Sequence, residues 1–162
     1  WCAQYQLAAI PVIRAIRDKN INKPATADIR EALAVDDKEK IGYRRVELTC
    51  GKHILSEADN WYVPSRLTPE MNLLLDTTET PFGTAVKALH FSRHTLDSTL
   101  LWSPLPNNWG LLLPKVPNGN GPLAIPSLVL QNRAVLLING NQPISLVVES
   151  YRRDLFAFPL AQ

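Results

Sequence analysis

The sequence predicts an antiparallel α+β domain, and three observations carry that prediction. Residues 43–50 (YRRVELTC) alternate with period two: Val46, Leu48 and Cys50 point one way, Tyr43, Arg45, Glu47 and Thr49 the other, as in a strand with two different faces. Two hairpins are written into the chain, one turning at Gly51-Lys52 and one at Asn139-Gly140-Asn141. Helical stretches come in groups and do not separate successive single strands, which argues against a doubly wound parallel sheet.

Taken in order, residues 1–8 (WCAQYQLA) are expected to be the end of a helix that Pro11 breaks, and residues 12–17 (VIRAIR) a strand. Residues 24–33 (PATADIREAL) suit a short helix with Pro24 near its start. A charged turn at 36–40 leads into the first hairpin, residues 43–63, which closes at Pro64. Thr68-Pro69-Glu70 combines a capping hydroxyl, a proline at the first helical position and an acid in the first turn, and Thr80-Pro81 repeats the first two features. Helices are therefore expected over 69–76 and 81–88, followed by a long strand over 90–102. Residues 103–126 hold six of the thirteen prolines and the cluster Asn118-Gly119-Asn120-Gly121, the texture of a long irregular loop that is either a flap over a pocket or a surface insertion. The second hairpin joins residues 133–138 to 144–149.

A chain of 162 residues is long enough for one domain with a sizeable core, so a single domain over 1–162 is expected. Hydrophobic residues make up 46% and charged residues 20%, ordinary proportions for a globular chain. No apolar run approaches the roughly 18 residues of a membrane span. The net charge is +2 with scattered basic residues, so no nucleic-acid partner is expected, since phosphate binding needs a clustered basic face. Nucleotide-binding, zinc-protease and serine-hydrolase motifs are all missing. His90 and His94 stand four apart but lie in an alternating segment, and with His53 they are expected to be surface or core residues; no metal and no cofactor is expected. Cys2 and Cys50 are expected to be reduced, partly buried thiols, with a single bridge as the alternative in an exported protein. Cys50 sits on the apolar side of its strand, where a thiol is inert as a nucleophile.

The polar groups of most interest sit on otherwise apolar strands: Arg45 on the second face of its strand, and Glu149 directly after ISLVV. Such a charge faces solvent, is paired, or lines a ligand site, because an isolated buried charge is very costly.

Four pieces of the chain, in this order and spacing, resemble the chorismate lyase family over nearly the whole length. They are the opening segment with its Ile-Arg strand VIRAIR; YRRVELTC with a partner strand ending at Pro64; Thr80-Pro81-Phe82-Gly83, which looks like that family's TPLG helix start; and the final hairpin with Pro143 and Glu149. The resemblance implies a chorismate lyase-like fold, an antiparallel sheet with flanking helices enclosing a buried ligand pocket. It implies that Arg45 holds the ligand's carboxylate and that Glu149 closes the other side and acts at the leaving oxygen. The helix start at Thr80-Pro81 offers backbone N–H groups that either help to hold an anion or form a plain cap. Asp59 and Asn60 stand where the lyases carry a small and a basic residue, and Glu57 and Asp59 would repel a dianion at the pocket mouth.

The function this implies is elimination of pyruvate from chorismate to give 4-hydroxybenzoate, a carbon–oxygen lyase reaction of bacterial ubiquinone biosynthesis that needs no cofactor. The alternative is a non-catalytic domain of the same fold, similar to the effector-binding domains of bacterial repressors, that binds a small aromatic or cyclic carboxylic acid. A monomer is expected, in the cytoplasm, or in the periplasm if a signal peptide precedes Trp1.

Overall fold

Alternation along the central hairpin sets the middle of the sheet. In the computed structural model, which describes residues 1–105 and 123–157, β2 (Gly42–Cys50) and β3 (His53–Tyr62) pair antiparallel as expected. They are flanked by β1 (Ile13–Asp18) on one side and by β6 (Gln142–Arg152), β5 (Leu128–Ile138) and β4 (Ser92–Leu100) on the other, giving one six-stranded antiparallel sheet in the order β1-β2-β3-β6-β5-β4. The C-terminal hairpin thus inserts beside β3, and β4 becomes an edge strand exposed along its whole length.

Residues directly opposite in neighbouring strands share a face. Tyr43, Trp61 and Leu146 stand in one row on the back of the sheet. The short helix α1 (Ala27–Ala32) packs Ile29, with Leu33 just beyond its end, onto this row. On the front, α2 (Pro69–Thr77) and α3 (Phe82–Ala85) bring Met71, Leu75, Ala85 and Val86 against Tyr62, Leu136 and Ile144. The Thr68 hydroxyl accepts from the Met71 amide and caps α2, as the sequence predicts. A Cβ on Gly42 would come within 2.4 Å of the Tyr62 ring, so the ring lies over β2 only because that residue is glycine. Arg66 ties the layers together, donating to the carbonyls of Leu33 and Ala34 after α1 and of Pro143 at the start of β6.

Two expectations are corrected at the N-terminus. Residues 1–8 form turns and not the end of a helix, because Gln6 takes a left-handed φ of 48° that stops helical propagation. Cys2 and Cys50 are not free thiols but a disulfide, for the turns fold the segment back until their Cα atoms lie 6.0 Å apart. With its ends 48 positions apart in the chain, this bridge contributes about 4 kcal/mol through the constrained unfolded chain. The helix expected over 81–88 is shorter than predicted: α3 gives way to a 3-10 turn at Lys87–Leu89, ended by His90 in the left-handed region. The proline-rich stretch 103–126 falls largely outside the described residues.

Candidate functional site: a cavity beneath the third helix

The front face of the sheet does not pack continuously. Between it and the start of α3 lies a cavity of about 150 Å³, lined by Val46, Leu48, Ala58, Val147, Phe82 and Phe91, with Arg44, Asn60, Arg93, Ser145 and Glu149 as its polar groups. The alternation of the strands places them. Arg44, Asn60 and Val147 form one cross-strand row, and Val46, Ala58 and Glu149 form the next. Arg44 and Glu149 are therefore two strands and one row apart, about 12 Å between backbones, with apolar side chains between them.

Arg44 is 1% exposed. One of its terminal nitrogens donates to the Thr80 carbonyl at 3.4 Å, and its Nε has no partner among the described residues. Burial, and then the nearby Arg17, pull its pKa below the ordinary guanidinium value. A guanidinium sealed from water with no acid beside it is costly to bury. At the other pole, the Glu149 carboxylate accepts from Ser56 Oγ (2.9 Å), Tyr151 OH (2.9 Å) and Arg93 (3.2 Å). Burial, and then Glu149, raise the pKa of Tyr151, which stays a hydrogen-bond donor. Asn60 and Ser145, both buried, bond to each other on the wall between the poles.

Of the residues singled out from the sequence, Glu149 and Asn60 line this cavity; Arg45, Asp59 and Thr80 do not. Arg45 and Glu149 do not converge, because Arg45 is one residue out of phase and faces the back of the sheet. There it pairs with Glu57 and, at 3.1 Å, with Asp59. Asp59 also accepts from Lys23 (2.7 Å) and Tyr43 (2.6 Å). Burial alone would raise the Asp59 pKa, but Lys23, Tyr43 and Arg45 outweigh it and hold the carboxyl below its usual range. Glu57 is further paired with Arg152. The expected repulsion of an anionic ligand by Glu57 and Asp59 is thereby removed: both acids are neutralised on the opposite face. Thr80 serves the cavity only through its carbonyl, which steadies Arg44. Among the described residues no group of three His, Cys, Asp or Glu could hold a metal, and no helix is long and apolar enough to cross a membrane.

No family model matches the chain. Over 162 residues it is 46% identical to the uncharacterized protein y4mC of Sinorhizobium fredii (strain NBRC 101917 / NGR234), a match covering 98% of this chain and 68% of that protein. The chain belongs to the y4mC family. Among solved structures, the effector domain of PhnF from Mycobacterium smegmatis matches with a TM-score of 0.54 at 15% identity, over 88% of this chain and 82% of that one. A GntR-family transcriptional regulator from Enterococcus faecalis V583 matches with a TM-score of 0.53 at 13% identity, over 93% of this chain and 100% of that one. Identities this low show the fold alone. This y4mC-family chain has the antiparallel, chorismate lyase-like fold that the effector-binding domains of such regulators share.

Arg44 and Arg93 were missed by the sequence reading for different reasons. Arg44 has the same parity as Val46, Leu48 and Cys50, so a charge on the apolar face was there to be seen. Arg93 lies on an edge strand, and nothing local says that it reaches Glu149 across β5.

Proposed function

We propose that this y4mC-family chain is a small-ligand binding domain whose cavity takes a single-ring carboxylic acid, aromatic or cyclic. The observation that carries the reading is the buried Arg44 guanidinium with its unpartnered Nε. A carboxylate fits it with bidentate geometry, and the ion pair removes the penalty of a lone buried charge. Volume supports the class of ligand, since a cavity of ~150 Å³ holds one benzene-sized ring. Phe82, Phe91, Val46 and Val147 would sandwich that ring. Glu149 then stands ready for a hydroxyl at the far side, with the Asn60 amide on the wall between.

Glu149 already accepts three hydrogen bonds, from Ser56, Tyr151 and Arg93. It is built as an acceptor for a ligand hydroxyl, not as a group that hands a proton to a leaving oxygen. That favours binding over elimination of pyruvate from chorismate. The low-identity likeness to regulator domains points the same way, as fold only.

Calorimetric titration with 4-hydroxybenzoate tests the proposal, alongside incubation with chorismate followed by chromatography. Saturable binding, lost in Arg44→Met, and unchanged chorismate are expected. Release of 4-hydroxybenzoate and pyruvate, abolished in Arg44→Met, would make the chain a lyase. No heat with any single-ring acid would sink the reading.

A further inference from the structure

We infer that this chain folds and works in an oxidising compartment, outside the cytoplasm, with the Cys2–Cys50 disulfide as the bond that fixes its N-terminal segment to the sheet. Residues 1–12 contain no helix or strand. Every backbone hydrogen bond described for them stays within the segment: Tyr5 to Trp1, Gln6 to Ala3, Leu7 to Cys2 and Val12 to Ile10. The segment is held instead by the disulfide, by the Trp1 indole donating to the Leu155 carbonyl at 2.9 Å, and by the packing of Leu7 with Leu55 and Ile13. Cys50 closes β2 two residues beyond Leu48, a cavity wall, so the bridge also braces the edge of the ligand site.

The two cysteines are 4% and 0% exposed, sealed among Tyr5, Leu7, Leu55 and Leu155. Redox-sensing cysteines are accessible and sit in electropositive surroundings. This pair is sealed from solvent and is therefore a permanent tie. Cytoplasmic thiol pools keep such pairs reduced, whereas chains that fold outside the cytoplasm are oxidised as they fold. On closure the two thiols lose two protons and two electrons as the Sγ–Sγ bond forms. A dithiol–disulfide exchange protein of that compartment takes the electrons, its own disulfide becoming a dithiol. A chain oxidised there does not meet cytoplasmic DNA, so its ligand site would serve capture or sensing on the outer side of the membrane. The inference does not depend on what the cavity binds.

Acid-quenched alkylation of the full chain in the cell that makes it, followed by reduction and a second, heavier label, provides the test, together with cell fractionation. Both cysteines are expected to take only the second label, in chain recovered outside the cytoplasm. Chain in the cytoplasmic fraction, or a pair that takes the first label, overturns the inference. On the purified protein, opening the bridge with reductant should lower Tm by roughly 10 °C, and Cys2→Ala should do the same. An unchanged Tm in both would refute the structural role of the bond.

Discussion

Arg44 and Arg45 are neighbours in sequence and identical in chemistry, yet they meet opposite surroundings. Arg44 points to the front of the sheet, into the cavity, where its Nε has no partner among the described residues. Arg45 points to the back, into a web with Glu57 and Asp59, which are themselves held by Arg152, Lys23 and Tyr43. The difference teaches where binding energy is stored. A charge whose partners all belong to the protein stabilises the fold. A buried charge with no acid beside it lowers stability, and under the proposed function a ligand carboxylate would recover that energy.

The sharpest way to break the comparison is to remove each arginine in turn. Arg44→Met should weaken 4-hydroxybenzoate binding more than 100-fold by calorimetry, while Tm holds or rises, because an unpaired buried charge is replaced by an apolar side chain of similar length. Arg45→Met should do the reverse, leaving affinity within about threefold and lowering stability by about 1–2 kcal/mol in urea unfolding, since two acids lose one of their partners. If both variants lose binding and stability alike, the two faces are not independent.

Glu149→Gln sharpens the front face further. It should weaken 4-hydroxybenzoate about tenfold and leave benzoate within about twofold, because only the hydroxyl needs the carboxylate. An equal loss for both ligands would mean that Glu149 acts by holding Arg93 in place. The smallest effect belongs to the back face. Asp59 is held below its usual value of 3.8, so its contribution to stability is complete above that pH and is lost as pH falls through the lower, folded value. Urea midpoints measured from pH 5 downward should fall in that window, and Asp59→Asn should flatten the curve there.

The fold was legible because its elements announce themselves locally. Period two in YRRVELTC, Asn-Gly at 139–140 and the capping Thr68-Pro69 each specify a structure from a few neighbouring residues. The site was legible only in part. Glu149 and Asn60 stand out on apolar strands and do line the cavity. The resemblance points to Arg45, whereas the strand's own alternation places Arg44 with Val46 and Leu48. The register from β2 through β3 to β6 decides this, and it puts Arg44, Asn60 and Val147 in one row.

By itself, then, the sequence determined most of the strands, the helix capped at Thr68, and that the sheet is antiparallel, because those properties follow from short-range periodicity and turn chemistry. Tertiary structure alone decided the strand order that seats β6 beside β3, the approach of Cys2 to Cys50, and the meeting of Arg93 with Glu149. These join residues 48 or more apart in sequence, where no local rule reaches and only the packing of the whole sheet selects the partner.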